Sequence, residues 1–229
     1  HDGVNANLVV HEGKMAIFSR TGKELQNTAI LLNLIPDTLS DGVYQCELVC
    51  DSCSLEVLSG VVNPNRVNKL NHAQLDIPMQ MYLQCFDFVK IEDFIRGESD
   101  ICYKFRHHYL CNKLDDWNLS SIRAVHMEKL ITSNDDAMRI AANSAIKDGE
   151  EGIVIVDMDA DWVAGHKGYR KMKIVRGVSY DLECIGYEQG TGKLEGHVCN
   201  LIFNWKDGNH IKAMMGKGWT YDMMQTMYT

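Results

Sequence analysis

Glu151 and the pair Lys171 and Lys173 are residues whose types and spacing suit work on a phosphate. Glu151 opens the run Gly152-Ile153-Val154-Ile155-Val156, which is apolar and β-branched and reads as a strand buried on both faces. A carboxylate at the lip of a core strand is rarely left without a partner. In Tyr169-Arg170-Lys171-Met172-Lys173, the period of two sends Tyr169, Lys171 and Lys173 to one face and Arg170 and Met172 to the other. The carboxylate could hold a divalent cation, and the ammonium groups could hold the oxygens of a metal-bound phosphate. The plainer account is a salt-bridge pair at the end of a sheet, and spacing alone does not decide between the two.

Several elements must position these groups. Val4, Ala6, Leu8 and Val10 alternate as a strand, residues 11–14 form a turn, and residues 15–18 return as a second strand. Ser19-Arg20-Thr21-Gly22-Lys23 closes this hairpin. Residues 43–49 read as a strand carrying Glu47, residues 54–60 as another, and residues 79–89 as a long apolar strand containing Phe86 and Asp87. Residues 94–114 are mainly helical, with His107 and His108 expected on the exposed side. A short strand follows around Ala124 and Val125. Ser133 or Asn134 then caps a helix that runs to Lys147. From about residue 175 short strands alternate with turns, over 178–187, 197–205 and 210–214, which suggests the start of a small β-barrel.

Composition sets the broad class. The 229 residues, 45% hydrophobic and 24% charged, suit one sizeable globular domain or one and a half smaller ones. No apolar run reaches membrane-spanning length, and no signal peptide opens the chain, so a cytoplasmic location away from membranes is expected. The net charge of −8 argues against a broadly basic nucleic-acid footprint. Local basic clusters remain at Lys167, Arg170, Lys171, Lys173 and Arg176, and at Lys104, Arg106, His107 and His108. Cys50 and Cys53 with nearby Cys46 invite a zinc reading, but no second pair follows at finger spacing. Cys46, Cys85, Cys184 and Cys199 lie in apolar runs, where a free thiol behaves as a small hydrophobe; a reducing compartment is expected.

Glu-Gly plus an apolar run, then Lys-x-Lys, resembles two motifs of the covalent nucleotidyltransferases, and above all of small phage-type ATP-dependent DNA ligases. His1-Asp2-Gly3 resembles the end of the family's Lys-x-Asp-Gly motif, whose lysine takes AMP; that lysine is expected immediately before His1. Ser19-Arg20-x-Gly22 resembles the next motif, whose arginine contacts the ribose and the strand's phosphate. Glu47 matches the glutamate of the third, and Phe86 the ring that stacks on adenine. Tyr103, Arg106 and Leu110 follow a family spacing for a helix packed on the core. Gln189-Gly-Thr-Gly-Lys193-x-x-Gly196, Asp207-Gly208 and Gly216-x-Gly218 resemble the oligonucleotide-binding (OB) domain of these ligases.

The resemblance implies an α+β protein: an antiparallel-sheet adenylation domain over 1–174, its N-terminal part missing, then a β-barrel OB-fold domain over 175–229, incomplete at its end. It implies a monomeric enzyme that uses ATP and Mg²⁺ to seal nicked duplex DNA through lysyl-AMP and DNA-adenylate. His1, Asp2, Gly3, Asn5, Arg20, Glu47, Phe86, Glu151, Lys171 and Lys173 would bind the nucleotide. Glu47 and Glu151 would hold the metal, and Lys171, Lys173 and Arg20 would act in catalysis. One departure bears on the substrate. DNA ligases usually carry Arg where this chain has Asn5, and Asn there is familiar from one branch of RNA ligases. Two alternatives stay open: an RNA ligase, and a nucleic-acid-binding protein without enzymatic activity.

Overall fold

The computed structural model describes residues 3–115, 118–130, 135–166, 168–177, 180–216 and 218–228. The chain divides into two compact units, His1–Arg176 and Gly177–Thr229.

In the first unit, β1 (Val4–His11) and β2 (Lys14–Ser19) form the expected hairpin. Glu12 and Gly13 both have positive φ, 49° and 73°, the turn geometry that matches strand twist. After α1 (Ala29–Asn33) comes β3 (Gly42–Val49). The strand expected over 54–60 is instead a helix, α2 (Leu55–Val62). Ser54 caps it by accepting from Val57 N, and Leu58, Val61 and Val62 recur at helical spacing and are buried. The strand expected from residue 79 begins at 82, because Pro78 sits in the first turn of a short helix, α3 (Ile77–Gln80), ahead of β4 (Tyr82–Val89). Then follow α4 (Ile91–Arg96), β5 (Glu98–Ser99), α5 (Tyr103–Asp115), β6 (Ile122–Ala124) and α6 (Asp135–Lys147). The expected caps of α6, Ser133 and Asn134, lie outside the described residues. The unit ends with β7 (Gly152–Val156), β8 (Trp162–Val163) and β9 (Lys171–Val175).

Five strands form the central sheet in the order β2-β1-β3-β4-β6. All neighbours are antiparallel except β6, which lies parallel to β4 because the chain crosses over through α4 and α5 between them. One face is the core: Ala6, Leu8, Tyr44, Cys46, Leu48, Leu83 and Cys85 are buried on it, packed with Leu58 and Val61 of α2 and Leu110 and Leu114 of α5. The other face carries Asn5, Gln45, Glu47 and Gln84, all partly exposed. His107, expected on the exposed side of its helix, is buried, and its Nε2 lies 2.7 Å from Val125 O; His108 is exposed. The α5 register that buries Tyr103, Arg106 and Leu110 turns His107 inward with them.

β7 is not buried on both faces. It pairs with β9 in a two-stranded ribbon, and Val154 is 59% exposed. α6 packs against both strands of the ribbon, while Lys171 of β9 reaches across to β4 and α5. The second unit holds β10 (Cys184–Gln189), β11 (Val198–Asn204), β12 (His210–Met214) and α7 (Tyr221–Thr226). Its strands form a three-stranded antiparallel meander, which does not close into a barrel among the described residues. Cys184, read as a small core hydrophobe, is exposed on the first of these strands.

Gly152 has φ of 149°, and a Cβ there would stand 2.0 Å from Ile174 O on the facing strand. Gly152→Ala must therefore open the β7–β9 ribbon. It is expected to lower the unfolding free energy by about 1–3 kcal/mol in urea titration. An unchanged midpoint would contradict the close approach.

Candidate active site on the polar face of the sheet

Asp87 organises this face. Its side chain has no exposure, yet it lies in the apolar strand β4 between Phe86 and Phe88. The register explains how it escapes the core. Cys46 faces Cys85 and Gln45 faces Asp87, so Phe86 is an extra residue on β4, a β-bulge. Without the bulge, alternation would put Asp87 on the same face as Cys85. With it, Asp87 joins Gln45 and Glu47 on the polar face.

A buried carboxylate needs partners in number and good geometry. Arg106 of α5, 4% exposed, donates Nε to Oδ1 at 2.9 Å and Nη2 to Oδ2 at 3.1 Å, the bidentate fork. Lys171 of β9 donates Nζ to Oδ2 at 3.1 Å. The Phe88 amide donates to Oδ1 at 2.9 Å. Asp87 thus joins β4, α5 and β9 through one side chain. The Lys171 ammonium also stands 5.0 Å from the ring centroids of both Phe86 and Tyr103, so the two aromatic residues wall its charge. The Tyr103 hydroxyl donates to Phe86 O at 2.5 Å, which holds the bulge to the helix. Burial, then the nearby Asp87 charge, pushes the Tyr103 phenol well above the usual tyrosine range, so it remains a donor.

The segment between β8 and its neighbours fixes β9 over this cluster. Tyr103 N donates to Ala160 O at 2.8 Å, Lys104 N to Met158 O at 2.9 Å, and Asp157 N to Arg170 O at 2.9 Å. Arg170 pairs with Asp161 at 2.8 Å, and Trp162 stacks on Phe94. A cleft of about 320 Å³ opens here, lined by Gln45, Tyr103, Arg106, Asp157, Trp162 and Lys171 among others. A larger cleft of about 530 Å³ shares no lining residue with it. Its polar groups satisfy one another: Tyr82 donates to Asp51 at 2.9 Å, and Arg123 lies 3.9 Å over the Tyr82 ring.

The two lysines have different partners. Lys173, in the middle of β9 opposite Val154, places its Nζ 2.6 Å from Glu151 Oε2, and both side chains are more than half exposed. Glu47 lies on β3, opposite Asn5 of β1 and Gln84 of β4. Gly3 approaches it so closely that a Cβ at Gly3 would be 2.9 Å from the Glu47 Cβ. Arg20 is exposed in the turn just after β2, whose last residue, Ser19, pairs with Ala6. Phe86 is partly exposed. His1 and Asp2 lie outside the described residues. Glu47 and Glu151 each carry hard carboxylate oxygens of the kind Mg²⁺ takes, and Glu151 is paired with Lys173. The anchoring role of Asp87 is not legible from motif spacing. An acid flanked by Phe86 and Phe88 in a core strand was the available signal.

Comparison with known proteins gives the same direction. No family model matches the chain. A probable DNA ligase of Anaeromyxobacter sp. (strain Fw109-5) is 30% identical over 84 residues, 37% of this chain and 16% of that protein. The aligned part is thus a small share of the relative's length. Among solved structures, a Lig E DNA ligase superposes with a TM-score of 0.72 at 15% identity, over 98% of this chain and 77% of that one. The ATP-dependent DNA ligase of bacteriophage T7, in complex with ATP, gives 0.60 at 16% identity, over 93% and 72%. The fold is therefore that of ATP-dependent DNA ligases, with mixed α and β elements and mainly antiparallel sheets. The resemblance read from the motifs extends to sequence similarity and to this fold.

Asp87→Asn leaves the Arg106 guanidinium buried without its counter-charge. The expected cost is about 3–5 kcal/mol of stability. Lys171→Ala removes a cation whose side chain is 37% exposed and leaves Asp87 its Arg106 fork and the Phe88 amide, so it should cost less than Asp87→Asn. Urea denaturation of both variants checks the contrast, and equal losses would contradict it.

Proposed function

We propose that this chain works as an ATP-dependent DNA ligase that seals nicks in duplex DNA through lysyl-AMP and DNA-adenylate intermediates. The observation that carries this reading is the placement of Lys171, held by Asp87 beside the rings of Phe86 and Tyr103, on a fold shared with ATP-dependent DNA ligases. In this reading residues 1–174 are the adenylation domain and residues 175–229 belong to an OB-fold domain. The protein acts as a monomer.

The nucleophilic lysine is the residue preceding His1, and Asp2 and Gly3 follow it on the approach to β1. Phe86 stacks on adenine, which is worth about 1–3 kcal/mol for a base on an aromatic ring. Asn5 and Arg20 meet the ribose and the 5′-phosphate. Lys171 and Lys173 present ammonium groups to the transferring phosphate, where they neutralise charge and favour the neutral amine of the attacking lysine. Glu47 and Glu151 would hold Mg²⁺, which when bound would supply further charge neutralisation. In the sealing step the 3′-hydroxyl oxygen bonds to the 5′-phosphorus, the bond from that phosphorus to AMP breaks, AMP leaves, and the hydroxyl proton passes to solvent. A fixed ammonium near the reacting phosphorus speeds this step because it needs no reorganisation.

The sealing step needs no lysine nucleophile, so it can be read on the chain as given. With Mg²⁺ and no ATP, the chain is expected to seal a duplex carrying a pre-adenylated nick. Lys171→Ala and Lys173→Ala should each slow sealing by about 100-fold. Sealing only when the 3′-hydroxyl strand is RNA would make the substrate RNA, the alternative that Asn5 in place of the DNA ligases' arginine keeps open. No sealing of either, with duplex binding retained, would leave a nucleic-acid-binding protein.

A further inference from the structure

The C-terminal turn of α5 and the segment after β6 bring Cys111, Asp115 and His126 together, away from the polar-face residues. Their sulfur, carboxylate oxygen and ring nitrogen all lie within 4.8 Å of one another. His126 Nε2 is 3.5 Å from Asp115 Oδ1. Cys111 and Asp115 are four residues apart on α5 and so share one helix face. The backbone beside His126 is pinned from both sides: Val125 N donates to Cys85 O at 2.7 Å, and Val125 O is 2.7 Å from His107 Nε2. His107 also borders the thiol, its Nδ1 3.7 Å from Cys111 Sγ. The buried His107 thereby ties the two halves of the cluster to each other.

We propose that Cys111, Asp115 and His126 form a binding site for a divalent borderline-soft metal of the Zn²⁺ class, with the fourth position left to water. Thiolate, imidazole and carboxylate together are a donor set that zinc accepts and that Mg²⁺, which wants oxygen, does not. Tetrahedral zinc, at about 2.3 Å to sulfur and about 2.0–2.2 Å to nitrogen or oxygen, sets its ligand atoms roughly 3.3–3.6 Å apart. The Asp115–His126 pair already stands at 3.5 Å. The remaining separations, at most 4.8 Å, close by side-chain rotation. The ion would link the end of α5, which carries Arg106, to the exit of β6.

Cobalt titration of the reduced protein tests this without any activity readout. Co²⁺ should produce thiolate-to-metal absorption in the near ultraviolet and tetrahedral bands in the visible, both displaced by Zn²⁺. The bands should vanish in Cys111→Ser and weaken in His126→Ala. They should persist when Cys50 and Cys53 are both replaced by Ser. The His126 side chain is 73% exposed, so its replacement leaves the fold intact and the readout clean. Zn²⁺ should also raise the melting temperature of the wild type and not of His126→Ala. No thiolate band, a band lost with Cys50 and Cys53 instead, or an equal thermal shift in His126→Ala would each overturn the site.

Discussion

A carboxylate with no access to water must be met by cations and amides, and in this chain that requirement falls on Asp87. Two of its partners come from elements distant in sequence, Arg106 on α5 and Lys171 on β9, and the third is the amide of the next residue, Phe88. Replacing such a cluster with apolar groups could be neutral for stability, whereas breaking it is costly. Its retention therefore makes most sense as positioning. It fixes one end of a lysine ammonium while leaving 37% of that side chain accessible.

The bulge at Phe86 is the backbone device that makes this possible. It lets β4 keep Cys85 and Phe88 in the core while turning Asp87 to the polar face. Tyr103 stabilises the irregularity by donating to Phe86 O. The same strand thus serves hydrophobic packing and charge placement, and α5 supplies both Leu110 and Leu114 to the core and Arg106 as the counter-ion. At the other end of the ribbon from Lys171, Gly152 lets β7 and β9 approach, and Lys173 in the middle of β9 reaches Glu151.

Much of this was legible in the residues. Alternation gave the first hairpin and β3, and the turn chemistry of residues 207–208 marked the gap between β11 and β12. The Glu-Gly and Lys-x-Lys motifs led to the ribbon on which Glu151, Lys171 and Lys173 sit. Less legible were features set by tertiary context. Residues 54–60 are a short, largely apolar run ending in Gly60, but Ser54 caps them into a helix against the sheet. The bulge leaves no mark in composition, because one extra residue in an apolar run looks like more of the same strand. His107 could not be placed until the helix register was known. Val154 reads as core because its run is apolar, yet it is exposed, because β7 pairs with a single strand, β9, in a two-stranded ribbon.

The most direct measurement is a double-mutant cycle on Asp87 and Lys171, read in the rate of sealing a pre-adenylated nick at a temperature where circular dichroism shows every variant folded. If Asp87 acts by holding Lys171, Asp87→Asn slows sealing, and adding Lys171→Ala to it costs little more than the slower single variant. Penalties that multiply would mean that Lys171 works without its anchor, and the positioning role assigned to Asp87 would fall.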